Sequence, residues 1–159
     1  MKPTVYIETT IPSFYFETRS SPRVQEWRTT TREWWAKQRR HYEVVTSQYV
    51  LDELGLAPRA KAAPALALLA GVQVLPTPPA IERIIEEYTR RKLMPADAVG
   101  DAAHLAITSL HSVDFLLTWN CQHLANANKV PHIRAVNESL GLSVPILTTP
   151  ITLRMETQP

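Results

Sequence analysis

A carboxylate at the exit of an apolar strand is the first residue in this chain suited to chemistry. TVYI, Thr4 to Ile7, reads as a short buried strand, and ETTIPS begins directly after it at Glu8. Further along, Asp101 stands among Ala98, Val99, Ala102, Ala103 and Leu105. A carboxylate in so apolar a stretch is costly to bury unless it is paired, hydrogen-bonded or bound to a cation. A lone Asp more often simply faces water. Asp97 lies four residues earlier, so on one predicted helix the two share a face. Asp97 would occupy the first turn, where the helix dipole offsets some of the like-charge cost. Glu53 follows a second apolar run, three residues after Val50 and four before Ala57, beside the apolar face of another predicted helix. Its neighbour Asp52 points about 100° away and is expected to be solvated. Oxygen donors gathered from separate segments suit hard cations such as Mg²⁺ or Mn²⁺, which keep several waters. A cation held in this way polarises a phosphate and lowers the pKa of a bound water.

The intervening elements must bring these residues together. Predicted strands are Thr4–Ile7, Tyr42–Ser47, Val72–Pro76, Asp114–Thr118 and a short one in VPILT. Helices are predicted over Pro22–Arg40, after Ser47 as N-cap, over Ala60–Ala70 with a kink or turn at Pro64, from Thr77 to Arg91, over Ala96–Leu110 and over Pro131–Leu140. Gly71 and Gly141 are read as helix stops, and Thr149-Pro150 as the start of a terminal helix. This alternation predicts an α/β domain with a mostly parallel central sheet covered on both faces, a three-layer α/β/α arrangement. Ligands of such sheets bind at the carboxyl ends of the strands. Glu8 follows the first strand, the helix bearing Glu53 follows the second, and Trp119-Asn120 follows the fourth.

Other polar residues near these ends allow more than one reading. His104 lies three residues after Asp101 and can reach a phosphate, or be a core or capping histidine. His123 can donate to RNA or secure its loop, and the second role is the commoner one. Cys121 is expected to be a small buried residue. Trp27, Trp34 and Trp35, at helical spacing, are expected in the core or on a dimer surface rather than as base-stacking platforms. The basic clusters at Arg39–His41 and Arg90–Lys92 end predicted helices and can also guide a phosphate backbone. A serine hydrolase lacks its G-x-S-x-G elbow here, and zinc lacks an H-x-x-x-H spacing or a cysteine pair.

The 159 residues suffice for one domain with a core, so residues 1–159 are read as a single domain. A net charge of +2 neither announces nor opposes a nucleic-acid partner. One cysteine precludes an internal disulfide, and no apolar stretch reaches the roughly 20 residues of a membrane span. A cytoplasmic protein without membrane contact is expected.

Together, VYIETT, SQYVLDEL, DAAHLAI and LLTWN resemble the PIN-domain family, which includes the VapC-type ribonuclease toxins of toxin–antitoxin modules. The resemblance runs from about Val5 to Leu147 and rests on the order and spacing of the motifs. It implies a site of Glu8, Glu53, Asp101 and Asn120, with the first three holding Mg²⁺ or Mn²⁺ directly or through water. Thr10, Ser47 and Thr118 match hydroxyl positions that support such sites, with Asp97 and His123 nearby. The implied activity is hydrolysis of RNA by in-line attack of metal-activated water, leaving a 5′-phosphate and a 3′-hydroxyl. A homodimer and an antitoxin protein are the implied partners. Glu8 and Asn120 each stand where the family usually has Asp. Both a tuned nuclease and a scaffold that binds RNA or protein without cutting are compatible with these changes.

Overall fold

Val5, Tyr6 and Ile7 are fully shielded from solvent. A strand with no solvent face belongs at the centre of a parallel sheet covered on both sides, and that is its place. The computed structural model describes residues 1–155. Its sheet is built from β1 (Thr4–Ile7), β2 (Glu43–Thr46), β3 (Gln73–Val74), β4 (Phe115–Leu117) and β5 (Ile146–Thr148), in the order β3-β2-β1-β4-β5. Every neighbouring pair is parallel, with Val5 opposite Val44 on one side and Phe115 on the other, and Leu117 opposite both Ile7 and Thr148.

The helices are α1 (Thr10–Tyr15), α2 (Pro22–Glu33), α3 (Gln48–Gly55), α4 (Arg59–Leu68), α5 (Ala80–Arg90), α6 (Val99–Leu110) and α7 (Val130–Ser139). They cover both faces of the sheet in a three-layer α/β/α fold. The chain winds outward from β1 to β3, then crosses back to β4 and β5 on the other side of β1. Right-handed crossovers then place the two sets of connections on opposite faces. The reversal opens a crevice at the carboxyl ends of β1 and β4. Among the described residues no helix is long and apolar enough to cross a membrane.

Several elements differ from expectation. Residues 10–15 form α1, where no helix is predicted from the sequence; Pro12 sits in its first turn, where a missing N–H costs nothing. The long helix expected to Arg40 ends as α-helix at Glu33 and continues as a π-helical turn (Trp34–Gln38) and a 3₁₀ turn (Arg39–His41). Helix α4 runs through Pro64. Strand β3 has only two residues. Helix α6 begins at Val99, not Ala96, because Ala96-Asp97 form a turn closed by Ala98 N–H to the Pro95 carbonyl at 3.0 Å. Asp97 is therefore exposed and off the helix, and the first-turn position belongs to Asp101. After Thr149 the chain makes a turn rather than a helix as far as residue 155, and residues 156–159 lie outside the described part.

Of the aromatic residues that begin with α2, Trp34 and Trp35 are internal and Trp27 is half-buried. Trp34 Nε1 donates to the Leu153 carbonyl at 2.8 Å. Trp27 stacks on Trp119 with centroids 4.4 Å apart. Cys121, expected inside, is exposed in the turn after Asn120.

Candidate active site

Glu8 lies at the carboxyl end of β1 against the exit of β4, its N–H donating to the Leu117 carbonyl at 3.2 Å. This carboxylate is only 3 % exposed. Its Oε1 accepts from the Thr10 backbone N–H at 2.9 Å, from the Thr10 hydroxyl, and from Thr118 Oγ1 at 2.9 Å. All three bonds go to Oε1 and none to Oε2. The α1 turn that begins right after Glu8 brings Thr10 back onto it, and the β1–β4 pairing delivers Thr118. Thr118 in turn accepts from the Asn120 backbone N–H at 2.9 Å, and Thr10 Oγ1 accepts from the Trp119 N–H at 2.8 Å. Trp119 points away from the crevice, its Nε1 donating to Thr31 Oγ1 at 2.8 Å, and so anchors the loop from behind.

A second chain of polar groups crosses the core toward Glu53. Ser47 caps α3, its Oγ accepting from Val50 N–H at 3.4 Å, and lies 2.6 Å from the Tyr6 hydroxyl. The Tyr6 hydroxyl is 2.7 Å from His104 Nδ1. His104 Nε2 lies 2.8 Å from Glu53 Oε1, although the ring nitrogen is poorly aligned for a hydrogen bond to it. His104 is 1 % exposed. It thus joins α6 to α3 through Glu53, and to β1 through Tyr6. Gly100 makes room for this arrangement, since a Cβ there would lie 3.1 Å from Glu53 Oε1. Asp52 is exposed and accepts from Gln48 Nε2 at 2.8 Å.

Asp101, half-buried on α6, adjoins both systems. The charges of His104 and His123 and the side-chain amide of Asn120 favour its ionised form. Asn120 Oδ1 accepts from the backbone N–H groups of Gln122 at 3.2 Å and His123 at 3.0 Å. It therefore folds its own loop while its amide serves Asp101.

Glu8, Glu53 and Asp101 thus all lie within electrostatic reach of one buried histidine, His104. Burial pushes the Glu8 carboxyl up, against the pull of His104, Thr10 and Thr118. Burial likewise pushes Asp101 up. Burial works against ionisation of Glu53 too, but His104 outweighs it and holds that carboxyl below its usual range. For His104 burial opposes the charge, yet Glu53, Glu8 and Asp101 together carry its pKa upward. Among the described residues no group of three His, Cys, Asp or Glu forms a ready-made metal cage. No protein-family model and no curated protein matches this chain.

The residues named from sequence therefore separate. Glu8, Thr10, Thr118 and Asn120 form one hydrogen-bonded unit. Glu53 and Ser47 belong to the Tyr6–His104 chain, Asp101 touches both, and His123 borders Asp101. Asp97 stays outside. Tyr6 was missed, and the available signal was its hydroxyl: a Tyr in a fully buried strand needs a polar partner.

Proposed function

We propose that this protein is a metal-dependent ribonuclease of the PIN type, acting at the crevice between β1 and β4. The observation that carries the reading is the excess of carboxylate there: Glu8, Glu53 and Asp101 converge near a single buried histidine, and burial opposes the charge on Glu8 and Asp101. Such a donor set, all oxygen and short of positive charge, fits Mg²⁺ or Mn²⁺. Mg²⁺ sites commonly use only one or two carboxylates and complete the shell with water and substrate phosphate, so a closed cage is not required. When bound, the cation supplies a polarised phosphate and an activated water.

The chain's own residues do the rest. Asp101 and the Oε2 of Glu8, which accepts none of the Thr10 and Thr118 bonds, would be the oxygens that hold the cation. Thr10 and Thr118 fix the Glu8 carboxylate by occupying Oε1. His104 orients Glu53, and Asn120 holds the loop that closes the crevice beside Asp101. A cytoplasmic homodimer restrained by an antitoxin protein belongs to the same proposal, by resemblance alone.

A second reading has its own support. Asn120 Oδ1 is fully engaged by its loop, and Glu53 by His104, which leaves fewer free donors than a tight site would use. On that reading the protein is a scaffold that binds RNA or a protein partner without cutting. Cleavage of a single-stranded RNA with Mn²⁺ and with EDTA, in wild type and Asp101→Asn, decides. Metal-dependent cleavage that disappears with Asp101 supports the nuclease. A folded protein that neither binds Mn²⁺ nor cuts supports the scaffold.

A further inference from the structure

Beside the carboxylates lies an open cleft of about 660 Å³, within the roughly 300–1,000 Å³ typical of ligand clefts. Its rim carries Lys92, His123, Lys129 and His132, and its floor is apolar, with Leu93 and Met94 beneath. No acidic side chain lines it. It borders the candidate active site through Gln122 and His123, which line it and whose backbone N–H groups bond Asn120 Oδ1 at 3.2 and 3.0 Å. We infer that this cleft is a nucleotide subsite for single-stranded RNA, with a backbone phosphate at the Lys92 and Lys129 ammonium groups and the nucleoside over the apolar floor. The inference rests on the nuclease reading of the neighbouring crevice and adds where the strand runs beyond it.

Two features argue for a ligand-binding rim rather than scattered surface charge. Lys129 is held in place: its Nζ donates to the Leu93 carbonyl at 3.0 Å and, more weakly, to Met94 Sδ at 3.8 Å, which leaves one of its three ammonium donors for an anion. Among the described residues neither Lys92 nor Lys129 is paired with a carboxylate. Lys92 sits at φ +57°, in the left-handed region that favours glycine. It ends α5 in a turn closed by Lys92 N–H to the Thr89 carbonyl and Leu93 N–H to the Tyr88 carbonyl. The same turn ends α6 at Ser112 and α7 at Gly141, uncharged residues in both cases. This backbone disfavours any residue with a Cβ, and here the residue that occupies it carries a cation onto the rim of the cleft. A concave site of this kind takes a splayed single strand; a duplex would present only its outer surface.

The strained backbone supplies a clean test. Binding of a short labelled single-stranded RNA is measured in EDTA over a range of salt concentrations, in an Asp101→Asn background that removes cleavage. Lys92→Gly is added first, then Lys129→Met. Lys92→Gly should bind RNA several-fold more weakly, with the slope of log K against log salt reduced by about 0.7, the share of one phosphate contact on a single strand. Its thermal midpoint should not fall, since glycine adopts this φ freely. The double variant should lose about twice that slope. An unchanged affinity and slope in both variants, or no RNA binding by the Asp101→Asn parent, overturns the subsite. Mn²⁺ binding by wild type and Asp101→Asn is measured in parallel. Mn²⁺ binding that ignores Asp101 sinks the nuclease reading, while the salt slopes still decide the cleft.

Discussion

Glu8 and Thr118, 110 residues apart in the chain, share a 2.9 Å hydrogen bond at the exits of the two central strands. The bond depends on parallel pairing in register, Ile7 opposite Leu117, so that the next residue of each strand faces the same crevice. Thr118 also accepts the Asn120 N–H, so one buried hydroxyl ties the carboxylate to the loop beside Asp101.

Replacing that hydroxyl in Thr118→Val should therefore act twice. An unpaired N–H and a lost donor cost about 1–3 kcal/mol of stability, readable by urea denaturation. Glu8 also loses a group that favours its charged form, so its pKa climbs further. Mn²⁺ should bind more weakly near neutrality, and the deficit should narrow as pH rises and Glu8 ionises again. Mn²⁺ titrations matching wild type at every pH would remove Thr118 from the site.

Gly100→Ala is expected to separate stability from activity. Alanine favours a helix over glycine by up to about 1 kcal/mol. The new Cβ would stand 3.1 Å from Glu53 Oε1, so the carboxylate must shift by some tenths of an ångström and loosen its contact with His104. The thermal midpoint should hold or rise while RNA cleavage falls. Full cleavage by a stable Gly100→Ala would show that the position of Glu53 does not matter to the reaction.

Much of this arrangement was readable from the sequence, and the failures have physical causes. The strand–helix alternation pointed to the sheet, because apolar runs as short as Val5–Ile7 and Leu116–Leu117, buried on both faces, must be central. Ser47 was legible as a cap because a β-region Ser before a helix has a local role. Helix α1 was hidden by Pro12, which reads as a breaker unless the helix start is known to lie two residues earlier. The Asp97–Asp101 pair failed because the helix start slipped by three residues, enough to put one carboxylate in a turn. His104 and Tyr6 form their contact across 98 residues. No local pattern encodes such a pair; only the packing of α6 over β1 creates it.

The pH dependence of the metal-free protein follows from the shifted groups. Glu8, Asp101 and His104 all have folded pKa values above their unfolded ones. Each contributes stability that is complete below its unfolded pKa and is lost as pH rises through the folded value. Glu53 is shifted down, so its contribution is present above its unfolded pKa and is lost only in stronger acid. Thermal midpoints should thus decline from weakly acidic to alkaline pH, and Mn²⁺ should restore them most at the alkaline end. Glu8→Gln keeps an oxygen for the same three donors and should flatten part of this decline. A wild-type profile that rises with pH, or a Glu8→Gln profile that overlays it, contradicts the assignment.

Tyr6→Phe tests the buried relay from Ser47 to Glu53. The hydroxyl at 2.6 Å from Ser47 Oγ and 2.7 Å from His104 Nδ1 is fully enclosed. Its removal leaves His104 Nδ1 without a partner and Ser47 Oγ with only its cap bond from Val50 N–H, at a cost of about 1–3 kcal/mol. The ring stays, so the packing of β1 is kept and a folded variant is expected. Nδ1 without its partner no longer fixes the imidazole, and Nε2 loses its hold on Glu53. The pKa of His104, followed by the pH dependence of its ring NMR signals, should move, and the Mn²⁺ affinity should drop together with cleavage. Ser47→Ala interrupts the chain one link further away and should reproduce the direction with a smaller effect on His104. If Tyr6→Phe loses stability yet keeps the His104 titration and the Mn²⁺ affinity of wild type, the chain is core scaffolding and Glu53 is oriented without it.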